Sequence, residues 1–255
     1  KPLLEFNEKG IYCSLADVYI DAWKPVKKVI ISHGHADHSK YGHKNYLTHH
    51  YNVPIVKHRL GKITIEGKEW GEKFFINGVQ FSLHPAGHII GSSQIRLEYK
   101  DEIWVYSGDY KREFDGITTP FELVKCHTFI TECTFGLPAF KWKNQALVFD
   151  EINNFWNFCR KNNQTAIVFA YSLGKAQRLI ANISSEIGKI YTHGAVENIN
   201  EVIRKYKKLP ITERITKDTK KEDLIGNLVI APPSTHGSSW LKKMVPYVTS
   251  SASGW

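Results

Sequence analysis

The spacing of apolar residues predicts that the first 140 residues are built mostly from strands. Short alternating runs, such as VQFSLHP at 79–85, are bounded by Gly and Asn. The stretch SQIRLEYKDEIWVYSGD (93–109) predicts a hairpin that turns at Lys100-Asp101, with Ile95, Leu97 and Tyr99 on one face. The β-branched run VKKVIIS (26–32) predicts a strand that ends directly at a cluster of histidines.

After residue 140, predicted strands and helices alternate. The predicted helices are NQALVFDEINNFWNFCRKN (144–162), GKAQRLIANISSEIG (174–188, ended by Gly188) and ENINEVIRKYKKL (197–209). The predicted strands are TAIVFAYS (165–172), KIYTHGA (189–195) and NLVIAPPS (227–234). This alternation is typical of a parallel α/β unit. We therefore expect two domains, 1–140 and 141–255.

Positive charge is concentrated in the second predicted domain. Residues 1–140 hold 17 Lys and Arg against 16 Asp and Glu, whereas residues 141–255 hold 17 against 9, out of a net charge of +9. Such an imbalance favours a polyanionic partner, nucleic acid first, although a solvated basic surface would produce the same count.

Composition excludes several classes of protein. Hydrophobic residues make up 42% and charged residues 23% of the 255 residues, as in an ordinary globular protein. No run of about 18 apolar residues is present, so we expect no membrane span. The N-terminus lacks an apolar signal-peptide core. The four cysteines are widely spaced and form no C-x-x-C pair, which indicates a reducing cytoplasm.

The densest candidate chemistry is SHGHADHS at 32–39. His33, His35, Asp37 and His38 occupy four of six positions at a strand end. Imidazoles and one carboxylate suit Zn²⁺, Mn²⁺ or Fe²⁺, so we interpret this loop as a metal site. The alternative is a polar, partly exposed turn.

Two later strand ends carry further candidate ligands. His88 lies in HPAGHIIGSS between glycines, and Asp109 ends VYSGD. Each residue alone is more often a turn or hydrogen-bonding residue. Taken together, these motifs resemble the pattern of the metallo-β-lactamase superfamily, which is H-x-H-x-D-H, then G-H, then S-G-D.

That resemblance implies an αββα sandwich with two divalent metal ions, Zn or Mn, at one edge. It assigns His33, His35 and His88 to one metal ion, Asp37 and His38 to the second, and Asp109 to both. Asp37 would also orient or deprotonate the attacking water. Asp21, in YIDAW, matches an early acidic residue that orients ligands, so we count Asp21, Asp37 and Asp109 among the candidate catalytic residues.

The basic half resembles the domain that β-CASP nucleases insert over their metal ions. Glu132, before T-F-G, matches their first accessory acidic motif and is a further catalytic candidate. FAYSLGKAQRL resembles a stretch of Artemis-type DNA nucleases, and this likeness implies phosphate binding by Ser172, Gly174 and Lys175. The opening of a helix there would offer free N–H groups to an anion. The alternative is an ordinary strand–turn–helix connection.

The likeness is nearest to bacterial ligase-associated DNA exonucleases and runs nearly end to end, through SHGHADH, SGDYKRE, TFITECTFGLP, HGAVE and SASGW. It implies DNA as partner, together with an ATP-dependent DNA ligase and a helicase. A further β-CASP histidine motif would be due soon after SASGW. We therefore expect an α/β chain truncated at its C-terminus, which lacks the return segment of the sandwich.

The sequence thus predicts a metal-dependent DNA exonuclease that acts on DNA ends in repair. An RNA-processing β-CASP ribonuclease shares every metal residue. A non-catalytic β-CASP scaffold is the non-enzyme alternative, although the metal motifs are intact as far as they run. A small-ester hydrolase gives no reason for the basic half.

Overall fold

The computed structural model describes residues 2–252, and its backbone divides into two units. Unit 1 contains the residues up to Phe114 together with Thr118–Thr134. Unit 2 contains Asp115–Ile117 and the residues from Phe135 onward. The last three residues of SASGW, 253–255, lie outside the described residues. The assignment of 1–140 and 141–255 to a metallo-β-lactamase domain and a β-CASP-like domain stays a prediction.

Unit 1 is built from two sheets. The strands of the first sheet are β1 (Glu5–Asn7), β2 (Gly10–Cys13), β3 (Val18–Ile20), β4 (Lys28–Ile30), β5 (Asn45–His49) and β6 (Ile65–Lys68). They lie in chain order, antiparallel up to β3 and parallel from β3 to β6. A short 3-10 turn, His50–Asn52, and helix α1 (Val53–Leu60) connect β5 to β6.

The second sheet of unit 1 is mainly antiparallel. Its strands are β7 (Phe74–Ile76), β8 (Val79–Pro85), β9 (Ser93–Tyr99), β10 (Glu102–Tyr106) and β11 (Thr128–Ile130). Only β10 and β11 pair in parallel. The turn between β9 and β10 uses Lys100 and Asp101 at φ 48° and 66°, so the predicted hairpin is confirmed.

One hydrophobic core joins the two sheets of unit 1. Ile20 and Ile30 reach it from the first sheet, and Phe81, Leu83 and Leu97 reach it from the second. All five side chains are fully buried. Each contributes about 1.5–3 kcal/mol relative to an exposed side chain, which holds the two layers together.

The metal motifs meet because the strands before them end at one edge of unit 1. Strands β8 and β10 both pair antiparallel with β9, so they run in the same direction and end on the same side. The first sheet joins this edge through the amide of Ser93, which donates a hydrogen bond of 2.8 Å to the carbonyl of Ser32.

Unit 2 is a parallel α/β layer, as the alternating pattern predicted. Its strands are β12 (Thr165–Phe169), β13 (Ile190–Thr192), β14 (Glu213–Arg214), β15 (Leu228–Ala231) and β16 (Tyr247–Ser251), all parallel in the order β14-β13-β15-β12-β16. Its helices are α2 (Gln145–Lys161), α3 (Lys175–Asn182), α4 (Gly194–Arg204), α5 (Lys221–Leu224) and α6 (Ser239–Lys242), with a 3-10 turn at Pro233–Thr235. Within residues 2–252, no helix combines the length and apolar character that a membrane crossing needs.

The helices differ from the sequence pattern in several places: α4 ends at Arg204 rather than near 209, and α1, α5 and α6 were not predicted at all. Helix α3 ends at Asn182 rather than before Gly188, because the Asn182 side chain donates to the carbonyls of Asp115 and Arg178. Helix α4 begins at Gly194, earlier than predicted, because the His193 ring accepts a hydrogen bond from the amide of Ala195.

A buried carboxylate ties helix α4 to its surroundings in unit 2. Glu197 is 4% exposed. It accepts hydrogen bonds from Thr192, Asn200 and Thr212, and it pairs with Arg204. Burial alone would raise the pKa of Glu197, but these donors outweigh it and hold the pKa below its usual value.

We predict that Glu197→Ala lowers the unfolding free energy of the chain by about 3–5 kcal/mol, because Arg204 and three donors lose their shared acceptor. The matched control is Glu201→Ala on the same helix, where a 58% exposed carboxylate pairs with Arg214 and the expected loss is under about 1 kcal/mol. Urea unfolding at neutral pH measures both, and equal losses would contradict the prediction. Because the folded pKa is lowered, the Glu197 contribution is present at neutral pH and disappears as the pH falls below about 4.

Candidate metal centre

The loop after β4 is held in place by hydrogen bonds to a buried carboxylate, Asp21. One Asp21 oxygen accepts the amide of Ser32 at 2.7 Å, and the other accepts the Ser32 hydroxyl at 2.5 Å. The same second oxygen also accepts His38 Nδ1 at 2.7 Å and the Tyr106 hydroxyl at 3.2 Å. Four donors therefore converge on Asp21, which is 5% exposed.

These bonds set which ring nitrogens face the centre. The Ser32 hydroxyl donates to Asp21, so its oxygen accepts from His33 Nδ1 at 3.0 Å. His38 also uses Nδ1 toward Asp21. In both rings Nε2 is then the nitrogen left to face the other candidate ligands, which is the arrangement that metal-binding imidazoles show.

Four candidate ligands meet at one point. The ligand atoms of His33, His35, His88 and Asp109 all lie within 4.8 Å of one another. His35 Nδ1 is 3.0 Å from His33 Nε2 and 3.2 Å from His88 Nε2. Three imidazole nitrogens and a carboxylate at such distances form a donor set that fits a divalent cation such as Zn²⁺.

Two glycines allow this approach. Gly87 precedes His88 at φ +73°, and a Cβ there would lie 2.2 Å from the carbonyl oxygen of Lys111. Gly108 precedes Asp109 at φ +54°, and a Cβ there would lie 2.7 Å from Ser32 Cβ. Any other residue would push a ligand-bearing strand end away from its neighbours.

Asp109 faces two groups of imidazoles with different oxygens. Its Oδ2 is 3.7 Å from His33 Nε2 and 3.6 Å from His88 Nε2, while its Oδ1 is 3.2 Å from His38 Nε2. Asp37 Oδ2 lies 3.6 Å from the same His38 nitrogen. Asp109 therefore faces His33 and His88 with one oxygen and His38 with the other.

The charge states in this centre follow from burial and from the carboxylates. Burial, together with the neighbouring imidazoles, holds the pKa of His33 well below its usual value, so that ring is neutral. Burial would also lower the pKa of His38, but hydrogen bonds to Asp109 and Asp21 outweigh it and raise the pKa to about 10. A cation bound at His38 Nε2 would therefore displace a proton.

The remaining predicted residues lie outside this group of four. Glu132 accepts the amide of Thr134 at 2.7 Å. In unit 2, the Gly174 amide donates to the Gln177 side chain at 2.7 Å and the Ala176 amide to the Tyr171 carbonyl at 3.1 Å, so these two N–H groups are already engaged. Gln177 also donates to the Ser172 carbonyl. The phosphate-binding role of Ser172, Gly174 and Lys175 stays a prediction.

Several residues that shape the centre were not predicted from the sequence. Arg59 of α1 donates to the carbonyl of Gly34 at 2.9 Å and to the Ser39 hydroxyl, which fixes the histidine loop from the side. Ser32 and Tyr106 hold Asp21. Ser32 is adjacent to the motif and could have been suspected, whereas nothing local marks Arg59.

A second group of His49, His50 and Glu69 also has its ligand atoms within 4.8 Å. His49 Nδ1 accepts the amide of Tyr51 at 3.2 Å, and the ring stacks on Trp70 at 3.4 Å. A neutral imidazole that accepts at Nδ1 carries its proton on Nε2 and has no lone pair left for a metal. We therefore interpret His49 as a structural residue.

Similarity to known proteins extends over most of the chain. No protein-family model matches the sequence. A protein named "Probable DNA ligase" from Opitutus terrae is 26% identical over 249 residues, 96% of this chain and 24% of that protein. An "RNase J-like protein" from Methanocaldococcus jannaschii is 26% identical over 220 residues, 72% of this chain and 51% of that protein. "Endoribonuclease ysh1" from Aspergillus fumigatus is 26% identical over 121 residues, 46% of this chain and 13% of that protein.

The chain therefore spans about half of the RNase J-like protein and a smaller share of the other two relatives. A solved structure of a protein of unknown function from Enterococcus faecalis V583 has a TM-score of 0.57 at 14% identity, covering 89% of this chain and 69% of that chain. At this identity the likeness concerns the fold alone.

We predict that Asp21→Asn weakens binding of Zn²⁺ by about 10- to 100-fold, since the amide cannot accept the His38 Nδ1 proton as the carboxylate does. Competition with a coloured chelator measures the affinity. Tyr106→Phe is the control. It removes only the 3.2 Å contact of the hydroxyl with Asp21, so it should lower the Zn²⁺ affinity far less. Unchanged affinity in a folded Asp21→Asn protein would show that Asp21 does not position the ligands.

Proposed function

We propose that this chain, a relative of the metallo-β-lactamase/β-CASP nucleases as its motifs predicted, is a metal-dependent hydrolase of phosphodiester bonds in nucleic acid. We further propose that its substrate is DNA and that it acts as an exonuclease on DNA ends in repair. The observation that carries the proposal is Asp109, whose two oxygens face different imidazoles. A shared carboxylate suits a pair of cations, and such pairs are typical of phosphodiester hydrolysis.

In this proposal, the candidate residues of unit 1 have two roles: some bind the cations and one orients the attacking water. When bound, divalent ions such as Zn²⁺ or Mn²⁺ supply polarisation of a phosphate oxygen and activation of water. Asp37 has a 75% exposed side chain, so it can accept a hydrogen bond from that water and orient it toward phosphorus. The proposed ligands are His33, His35 and His88 at one position, Asp37 and His38 at the other, and Asp109 at both.

The charge of the second half supports a polyanionic substrate. Residues 141–255 carry 17 Lys and Arg against 9 Asp and Glu. Contacts between these cations and phosphates would give binding that weakens steeply with salt. A small-ester substrate would have no use for this charge.

Two observations bear on DNA against RNA. The relative named as a probable DNA ligase aligns over 96% of this chain, whereas the endoribonuclease aligns over 46%. The RNase J-like relative aligns over 72% of this chain. Because of this likeness, an RNA-processing ribonuclease is the second candidate function. Coverage therefore favours DNA, and cleavage assays on both polymers decide between them.

Further parts of the proposal rest on the same likeness. We propose an αββα sandwich for unit 1, with Glu132 of that unit as an accessory acidic residue, a β-CASP-type unit 2, and action in the cytoplasm. The ligase-named relative supports a DNA ligase as a partner. The helicase partner has no support from the relatives and is not part of this proposal.

We predict that His35→Ala and Asp37→Ala each lower the rate of DNA cleavage at least about 1,000-fold, because cation chemistry supplies several kcal/mol of the barrier reduction. Binding of DNA, measured in the presence of a chelator, should stay within about threefold of the wild-type affinity because most of the excess charge lies in residues 141–255.

The control for these variants is His58→Ala, an exposed histidine on α1 that should leave cleavage unchanged. End-labelled single-stranded DNA and RNA of one sequence serve as substrates, with Mn²⁺ and with Zn²⁺. If the protein cleaves RNA but not DNA, RNA is the substrate and the DNA proposal is wrong. Full activity in both variants would remove the metal-centre hypothesis.

We predict that Lys175→Ala weakens binding of 5′-phosphorylated DNA by about 10- to 100-fold, the value of one charge-assisted phosphate contact. Lys175 opens α3, with its ammonium group 5.1 Å from the Tyr171 ring centre. Burial, together with Arg178, lowers the pKa of this ammonium group. The loss should be smaller for 5′-hydroxyl DNA.

Lys189→Ala is the control for this measurement, since Lys189 is already paired with Glu213 at 2.7 Å. Equal losses on both DNA ends would make Lys175 a general backbone contact. If Lys175→Ala and Lys189→Ala have the same DNA affinity, the turn at the start of α3 has a structural role and does not bind phosphate.

A further inference from the structure

The segment before α2 carries aromatic and basic residues in alternation. Phe140, Lys141, Trp142 and Lys143 follow one another, and no acidic residue occurs between Glu132 and Asp150. Neither the metal chemistry nor the fold of unit 2 explains why large apolar rings should lie between lysines on a surface. The Trp142 side chain is 60% exposed.

Three aromatic rings of this segment hold one another in place. Phe135 lies edge-to-face against Phe140 at 5.1 Å and against Trp142 at 5.0 Å between ring centres. Aromatic pairs of this geometry are favourable beyond the area that they bury. The arrangement holds the indole in place while Trp142 stays 60% exposed.

The backbone of the segment is also fixed by hydrogen bonds at two points. The amide of Phe140 donates to the carbonyl of Leu137 at 3.1 Å, which closes a turn that contains Pro138. The Asn144 side chain accepts the amide of Ala146 at 2.9 Å and caps α2. Trp142 is therefore presented from a short, braced loop.

The charges around Trp142 select the partner. Lys141 is exposed, and Lys143 is 64% exposed although it pairs with Glu151 at 2.8 Å. An apolar partner protein would gain nothing from these flanking ammonium groups, whereas a nucleic acid offers a flat base for the indole and phosphates for the lysines. Only an unpaired strand has bases free to stack.

We propose that Trp142, supported by Phe135 and Phe140, is a stacking platform for a base of single-stranded DNA, with Lys141 beside it as a phosphate contact. This inference rests on the proposed function and narrows it, because it names single strands as the form that the chain holds. It concerns binding alone, so it is tested without metal ions.

Substitution of Trp142 isolates the stacking contribution. Loss of one stacked base contact weakens binding by about 5- to 150-fold, so Trp142→Ala should raise the Kd for single-stranded DNA by that factor in the presence of a chelator. Trp142→Phe should recover most of the affinity because it keeps a ring. Phe158→Ala, at an exposed aromatic residue within α2, should change nothing.

An abasic strand separates stacking from charge. Such a strand keeps every phosphate but has no bases, so Trp142→Ala should bind it as the wild type does, whereas Lys141→Ala should weaken binding to both strands. The slope of log Kd against log salt concentration should stay unchanged in Trp142→Ala and decrease by about 0.7 in Lys141→Ala.

Three outcomes would overturn the platform. These are equal losses on normal and abasic strands, an unchanged Kd on both, or an altered oligomeric state of Trp142→Ala with unchanged DNA binding. The last result would mean that Trp142 contacts a second copy of the chain. Failure of catalysis alone would leave these binding measurements intact, so the two proposals can fail separately.

Discussion

The centre depends on one buried carboxylate that accepts four hydrogen bonds. Asp21 receives two donors from Ser32, one from His38 and one from Tyr106. A desolvated charge is costly unless it is paired and bonded in this way. By accepting these protons, Asp21 directs the Nε2 atoms of His33 and His38 toward the other candidate ligands. Its own backbone sits at φ 43°, in the left-handed region that an aspartate tolerates better than most residues.

This constraint links the two sheets of unit 1. Tyr106 ends β10 in one sheet, and Ser32 follows β4 in the other, so Asp21 contacts both layers at the edge where the ligands meet. The glycines at 87 and 108 then allow the strand ends to come close enough for His88 and Asp109 to join. Ligand position is therefore a property of the shared core as much as of the motifs.

Much of this arrangement could be predicted from local signals. The hairpin at Lys100-Asp101 and the alternation of strands and helices in unit 2 follow from residue spacing, because period and turn residues act over a few positions. The convergence of His33, His35, His88 and Asp109 was expected from the family resemblance of the motifs. Long-range contacts were not predictable: Arg59 reaches Gly34 across 25 positions, and Asn182 reaches Asp115 across 67.

We propose above all that the imidazoles and Asp109 form a cation site that serves phosphodiester hydrolysis. The most direct measurement is anomalous diffraction from crystals soaked in Mn²⁺ or Zn²⁺ and recorded at the absorption edge of the metal. We expect a peak bounded by His33 Nε2, His35 Nδ1, His88 Nε2 and Asp109 Oδ2. A protein that cleaves DNA in a metal-dependent manner but shows its anomalous peaks only elsewhere would contradict it.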